Sequence, residues 1–269
     1  MRGLVVAGDG RPCERTVSPD LPWVRTHDAR ARKRPAPAEK KIAHWKEGAP
    51  RMQRNLWVMT GLVPCVLVAV AAATDPRALA LPLGQRVGHP VQWLSHMVAH
   101  ASVGHLLTNL VSALFVYICE VLNGSLRTAG IALAAGLTAA LWMRALVREP
   151  SLYLGFSGCA YGIVGAVLAC VWINLDSLRR PRVWLAATGA YVVLEVSLAQ
   201  ALDTIDGRTV AHAAHLAGAT QGVACGLMFG TNVAVRTCER ILRTLAAVAS
   251  VAAFLAPVAL LQSHAHQLR

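Results

Sequence analysis

Seven long apolar stretches, separated by short polar segments, occupy most of the chain after residue 55. They cover residues 56–73, 103–122, 128–143, 156–175, 183–202, 210–232 and 245–261. Each holds roughly 16 to 23 residues, close to the length at which an α-helix crosses the ~30 Å hydrocarbon core of a bilayer. The pattern therefore predicts an all-α fold, a polytopic helical bundle embedded in a lipid bilayer.

The composition agrees with a membrane protein and argues against a soluble domain. Of the 269 residues, 55% are hydrophobic and 15% are charged, and the mean hydropathy is +0.46. The formal net charge of +12 could suggest a nucleic-acid partner, but thirteen of the 26 Lys and Arg precede residue 56. If this segment is cytoplasmic and the spans alternate, most positive charge lies on the inner side, as is usual in membrane proteins. We therefore expect no nucleic-acid partner.

The same pattern divides the chain into three parts. Residues 1–54 are basic and poor in apolar runs, and we expect them to form a disordered cytoplasmic tail. Residues 55–232 would form a six-helix membrane core, and residues 233–269 a cytoplasmic linker, a seventh span and a short C-terminal tail. The alanine-rich spans fit a bacterial inner membrane. Residues 79–93, between the first two spans, are expected in the outer interface, where Leu79, Leu81, Leu83, Val87 and Trp93 would partition.

Alternation of the spans places several polar side chains at one depth. With the N-terminus inside, the second, fourth and sixth spans all enter the membrane from the outer side. Near their starts lie His105 and Asn109, then Ser157, and then His215. Polar groups in a membrane usually face the bundle interior or a wet cavity, because lipid cannot satisfy their hydrogen bonds. We therefore predict that these side chains share a water-filled pocket near the outer face.

Glycines repeat along the fourth and sixth spans. They are Gly158, Gly162 and Gly165 in the fourth span, and Gly218, Gly222 and Gly226 in the sixth. Small residues on one face let the backbones of two membrane helices approach each other. The spacing therefore predicts close packing of these spans, which a contact between a serine and a histidine side chain would require. The seven cysteines form no CxxC pair and are interpreted as small buried side chains.

Ser157 and His215 fit a catalytic dyad. A neutral imidazole can accept the hydroxyl proton as the oxygen attacks a peptide carbonyl, and can then return it to the leaving amine. Tyr161 lies four residues after Ser157 on the same helical face, where its ring could pack against the imidazole. No carboxylate is placed to act as a third member, so the sequence favours a dyad.

Further residues could stabilise the negative oxygen that this attack creates. Such an oxygen needs hydrogen-bond donors that already point at it. His105 and Asn109 share one helix face, and with the Ser157 backbone N–H they could supply these donors. Gly155 leaves room for the substrate backbone to approach.

Each of these groups also has another explanation. A serine in a membrane helix often bonds the carbonyl one turn back. The imidazoles of His96, His100 and His105 could instead form the metal or haem site of a transporter, although their spacing does not keep them on one face. Glu120, near the inner end of the second span, is interpreted as structural, bonding helix ends or the following loop.

The polar motifs together resemble the rhomboid family of intramembrane serine proteases. The motifs are His100-Ala-Ser-Val-Gly-His105-Leu-Leu-Thr-Asn109, Gly155-Phe-Ser157-Gly-Cys-Ala-Tyr161-Gly-Ile-Val-Gly165 and Ala214-His215-Leu-Ala-Gly218. The resemblance implies a six-span core with an extra C-terminal span. It also implies the following roles: Ser157 as nucleophile, His215 as base, His105 and Asn109 as oxyanion donors, and Tyr161 as the residue against which His215 packs.

The resemblance also implies a substrate and a chemistry. The substrate would be a transmembrane or membrane-anchored protein, cut in or near its transmembrane segment, and no cofactor or metal ion is expected. A rhombosortase-like role, trimming a C-terminal sorting tail from exported proteins, is a subtype that the sequence leaves open, as it leaves the oligomeric state. A catalytically silent rhomboid-like protein that binds membrane clients is an alternative from another class. Such proteins are expected to lack the serine or the histidine, and both are present here.

Two positions depart from the family pattern. Many relatives have Trp-Arg in the loop after the first span, whereas this chain has Val91-Gln92-Trp93 without the Arg. In a run of glycines around Glu120, Gly124 fits, but Val116 replaces the first glycine. These departures concern the packing of the loop and of the second span, not the catalytic residues.

Overall fold

The computed structural model describes residues 16–17, 58–84, 88–175, 180–206, 211–232, 234–235 and 239–267. In chain order these contain β1 (Thr16–Val17), α1 (Val58–Ala73), α2 (Pro76–Leu79), β2 (Leu81–Pro82), α3 (Gln92–Ser95), α4 (Val103–Val111), α5 (Ala113–Asn123), α6 (Ser125–Leu146), β3 (Leu152–Tyr153), α7 (Ser157–Ile173), α8 (Pro181–Asp206), α9 (His212–Phe229), β4 (Ala234–Val235) and α10 (Glu239–Gln267). The expected tail, residues 1–54, lies outside the described residues except for β1, which pairs antiparallel with β4.

Helices account for all seven apolar stretches. Among the described residues, the helices long and apolar enough to cross a membrane are Val103–Asn123, Ser125–Leu146 and Glu239–Ser263, and α1 and α7 are shorter apolar helices. The second stretch is divided into α4 and α5 by a turn at Ser112. The prediction of an all-α polytopic helical bundle is confirmed.

The central helix of the bundle is α7. From Ser157 to Val171 every side chain except that of Leu168 is buried. One side of α7 packs on α6, where a Cβ on Gly158 would lie 2.7 Å from the Cβ of Ala139. A larger residue at either position would push the two helices apart, so the small residues set their separation.

On its other side, α7 packs on α9 with direct contact between the two backbones. The contacting pairs advance together along both helices: Gly158 with Gly218, Gly162 with Gly222, and Ala166 with Gly226. Helices whose contacts advance in the same direction are parallel, as alternation predicts for the fourth and sixth spans. The glycine spacing therefore produces the close contact that we expected from it.

The fully buried carboxylate of Glu120 joins helices at the end of the bundle opposite Ser157. It accepts hydrogen bonds from the backbone N–H groups of Met59 and Thr60 at 2.9 and 2.8 Å, and from the hydroxyls of Thr60 and Ser125. Met59 and Thr60 belong to the first turn of α1, whose N–H groups lack partners within the helix and favour negative charge nearby. Glu120 thus has the structural role that we predicted.

The C-terminal helix α10 is joined to α6 and to α9. Pro257 lies inside α10 and has no N–H, so the carbonyl oxygen of Ala253, four residues earlier, lacks its helical partner. The Trp142 Nε1–H of α6 donates to this oxygen at 2.9 Å. From α9, the Gln221 side-chain amide donates to Ser250 Oγ at 2.8 Å. Specific hydrogen bonds, in addition to apolar contact, therefore hold α10 against the bundle.

Two leucines after α2 differ from the expectation that they partition into the membrane interface. The strands β2 and β3 pair antiparallel, with Leu81 opposite Tyr153. This pairing places Leu81 in a buried cluster with Leu83 and Ala139. The two leucines therefore contact the protein rather than the lipid, because the loop folds back onto the bundle.

Candidate active site

Ser157 is the first residue of α7, and only 8% of its surface is exposed. Two residues earlier, Gly155 has a φ of 123°, a conformation that residues with a side chain rarely adopt. A Cβ at this position would also lie 2.7 Å from Nε2 of His105. The Gly155 N–H donates to the carbonyl oxygen of His96 at 2.8 Å. Glycine at this position therefore permits both the turn into α7 and the close approach of the His105 ring.

Tyr161 and His215 are stacked on each other. Their ring centroids are 4.2 Å apart and the angle between the ring planes is 11°. Because Tyr161 lies one turn after Ser157, it shares a helical face with the serine. The structure thus places the imidazole of α9 against the face of α7 that carries the serine.

The parallel register of α7 and α9 also brings His215 level with Ser157. Gly158, which directly follows Ser157, contacts Gly218, which lies one turn after His215. At 1.5 Å of rise per residue, Ser157 and His215 differ in height by about 3 Å. Among the hydrogen bonds of the described residues, none joins the Ser157 hydroxyl to the His215 ring. The two residues are therefore in one layer of the bundle without a closed hydrogen bond.

His105 and Asn109 lie one turn apart on α4 and face the loop at Gly155. Measured from a Cβ placed on Gly155, His105 Nε2 is 2.7 Å away and Asn109 Nδ2 is 3.9 Å away. Asn109 Nδ2 donates one hydrogen to the His105 carbonyl oxygen at 2.9 Å, and a side-chain amide carries a second. The Ser157 N–H is one of the first N–H groups of α7, which have no partner within the helix. The His105 ring, the Asn109 amide and the Ser157 N–H thus lie at the loop that leads into α7.

Two further histidines, His96 and His100, are buried in the segment before α4. Burial lowers the pKa of the His96 imidazole to about 4, and burial together with the nearby His105 lowers the pKa of His100 to about 4. Both rings are therefore neutral at pH 7. The Nδ1–H groups donate to the carbonyl oxygens of Gln92, at 2.9 Å, and Val98, at 3.2 Å. Within the described part of the chain, no group of three or more His, Cys, Asp or Glu is arranged to hold a metal ion, so the hypothesis of a metal site gains no geometric support.

Sequence reasoning missed two residues that hold the serine loop in place. The carbonyl oxygen of His96 bonds the Gly155 N–H, and the His96 ring lies 5.1 Å from the ring of Tyr153. The Tyr153 hydroxyl in turn lies 3.1 Å from where a Cβ on Gly158 would be. A backbone carbonyl carries no residue-specific signal, and the position of Tyr153 depends on strand pairing with a distant segment.

The chain matches the family model of the Rhomboid domain over residues 87–232. It is also similar to Rhomboid-related protein 1 of Caenorhabditis elegans, with 30% identity over 161 residues, which are 58% of this chain and 44% of that protein. The chain thus spans less than half the length of this curated relative. The matched region extends from before α3 to the end of α9, and its apolar helices are those of an integral, multi-pass membrane protein. The chain belongs to the rhomboid family.

Proposed function

We propose that this protein is an intramembrane serine endopeptidase that cleaves transmembrane or membrane-anchored proteins through a dyad of Ser157 and His215. The Ser157 hydroxyl attacks the carbonyl carbon of the scissile peptide bond while His215 accepts its proton. The same imidazole then gives this proton to the leaving amine. In the second half of the reaction, His215 accepts a proton from a water molecule, which attacks the acyl-enzyme. His215 then returns this proton to the Ser157 oxygen as the product acid leaves.

The observation that carries this proposal is the register between α7 and α9. It sets the imidazole level with the hydroxyl, and stacking on Tyr161 limits how the His215 ring can turn. Catalytic hydrogen bonds are often long in ligand-free enzymes and tighten when substrate binds. Ser157 and His215 at similar height, without a hydrogen bond between them in the ligand-free protein, are therefore compatible with this chemistry.

The donors at the Gly155 loop would stabilise the tetrahedral intermediate. We assign His105 and Asn109 to this role, together with the Ser157 N–H, because they face the loop from which the serine projects. The positive end of the α7 dipole adds to the effect. Removal of one such donor typically raises the barrier by about 3 kcal/mol.

Membership of the rhomboid family points to membrane proteins in the bilayer as substrates. The buried position of Ser157 fits this class, because an extended peptide must reach a layer inside the bundle. A hydrolytic site at such a depth needs polar groups that retain water. The histidines and the asparagine around the serine supply these groups in an otherwise apolar bundle.

Replacement of the nucleophile tests the proposal. The full-length chain is expressed with a single-span model substrate, and the cleaved fragment is measured. Ser157→Ala should abolish the fragment at unchanged expression, whereas Ser263→Ala, a matched change at an exposed serine near the end of α10, should leave it unchanged. Equal cleavage by wild type and Ser157→Ala would refute the assignment.

Because Ser157 and His215 are not hydrogen-bonded to each other, the site also fits a second candidate function, that of a catalytically silent protein that binds membrane clients. A serine-reactive fluorophosphonate separates the two functions. The protease should be labelled at Ser157, and labelling should disappear in Ser157→Ala and fall strongly in His215→Ala. A wild-type chain that resists labelling but still co-purifies with a membrane client would support the silent alternative.

A further inference from the structure

Arg144 lies in the last turn of α6, close to the end of the bundle that holds Ser157. Its guanidinium reaches sideways to the loop formed by residues 80–84. There it donates to the carbonyl oxygen of Pro82, at 3.5 Å, and to that of Gly84. A charged side chain at the end of a membrane helix could instead extend into water. Instead, the guanidinium of Arg144 donates both of these hydrogen bonds to the backbone of the 80–84 loop.

The loop that Arg144 holds is closely packed. Gly84 has a φ of 72°, and a Cβ there would lie 2.7 Å from the carbonyl oxygen of Arg148. Ala80, Leu81 and Leu83 are all buried. Residues 80–84 therefore fit the surface of the bundle tightly, and movement of their backbone would disturb the segment that follows α6.

That segment leads directly to the serine. The Leu83 N–H donates to the Ser151 carbonyl oxygen at 2.9 Å, and Leu81 pairs with Tyr153 across the β2–β3 ladder. Two residues after Tyr153, Gly155 makes the turn into α7. The contacts therefore form a continuous chain from Arg144 through residues 80–84 to the strand that ends just before Ser157.

We propose that Arg144 is a positioning residue for Ser157, acting by holding β2 against β3. The inference rests on the proposed function of Ser157 as nucleophile. Arginine suits this task because its planar fork offers several N–H donors in fixed directions, whereas a lysine ammonium acts as a compact point charge. Loss of the guanidinium frees the 80–84 loop, and the strand before Gly155 then no longer fixes the height and direction of the Ser157 hydroxyl.

The test uses the full-length chain in lipid nanodiscs and three variants, Arg144→Met, Arg144→Lys and Arg127→Met. Arg127→Met removes the same charge from the opposite, exposed end of α6 and is the matched control. The rate constant for fluorophosphonate labelling of Ser157 is measured alongside thermal unfolding. Hydrogen exchange is followed in peptides covering residues 80–84, 149–156 and 212–229.

Displacement of a reacting group by about 1 Å can cost on the order of 100-fold in rate. We therefore expect Arg144→Met to lower the labelling rate constant by about 10- to 100-fold. Arg144→Lys should recover part of this loss, and Arg127→Met should label like wild type. Exchange should rise in residues 80–84 and 149–156 but not in residues 212–229, a pattern that a general loss of stability would not give.

Two results would overturn the proposal. One is a wild-type labelling rate for the folded fraction of Arg144→Met. The other is unchanged exchange in residues 149–156 when exchange rises in residues 80–84. If even wild type resists labelling, the proposed protease function fails, and the exchange measurement alone decides whether Arg144 holds the strand before Ser157.

Discussion

The hydrogen bond from Trp142 to Ala253 allows a direct test of how α10 is held. The carbonyl oxygen of Ala253 is available because Pro257, four residues later, has no N–H to donate. Trp142→Phe removes the indole donor and leaves this oxygen without either partner. Pro257→Ala restores a helical N–H to the same oxygen, so the two changes should not be additive.

Two magnitudes bracket the expected effect. A buried polar group that loses its partner costs about 1–3 kcal/mol, whereas hydrogen bonds between membrane helices average about 0.6 kcal/mol. The oxygen of Ala253 belongs to the first case, because its helical partner is absent as well as the indole. We expect Trp142→Phe to lower the free energy of unfolding by about 1–2 kcal/mol in wild type, including the smaller ring. In the Pro257→Ala background the loss should be smaller by about 1 kcal/mol.

The assay is a double-mutant cycle by reversible unfolding of the full-length chain in mixed micelles. Trp172→Phe serves as the control, because Trp172 is 63% exposed on α7 and should change the free energy of unfolding little. A coupling energy between the changes at positions 142 and 257 within about 0.3 kcal/mol of zero would refute the reasoning. The helix α10 would then be held by apolar contact alone.

Two further changes probe the bundle itself. Gly222→Ala would press a methyl group into a carbonyl oxygen of α7 and should abolish both stable folding and phosphonate labelling. Gly189→Ala, where nothing lies within 4 Å, should be tolerated; equal folding yields for the two variants would contradict the α7–α9 contact. Glu120→Gln replaces an acceptor of several hydrogen bonds by an amide whose –NH₂ faces N–H donors. It should lower the free energy of unfolding by about 2–3 kcal/mol, and an unchanged unfolding midpoint would argue against its structural role.

Much of the helical core could be predicted from the sequence because its determinants are local. Apolar length sets where each helix runs, and a repeat of small residues sets which faces of α7 and α9 meet. The turn at Ser112 was not foreseen, and neither was the contact with α8, where the Tyr191 hydroxyl donates to Ser112 Oγ at 2.8 Å. Neither residue carries a helix-breaking signal of its own.

The loop that supports the serine was harder to predict, for a different physical reason. Leu81 and Leu83 have the same apolar character whether they enter lipid or protein. Only the pairing of β2 with β3, about seventy residues apart in sequence, decides between these environments. The contacts of Arg144 and of the His96 carbonyl likewise involve backbone oxygens, whose positions depend on the fold rather than on residue type.

Because glycines form the contact between α7 and α9, the two helices can pack closely only in certain registers, and these registers set the position of His215 relative to Ser157. A slip of α9 by one residue would move it by only 1.5 Å but would rotate its face by about 100° and remove the glycines from the contact. The next register that restores a glycine face is four residues away, a shift of about 6 Å. In the direction that pairs Gly222 with Gly158, this shift would increase the difference in height between Ser157 and His215 from about 3 Å to about 9 Å. The site therefore depends on the register of α7 and α9, which the glycine contacts fix.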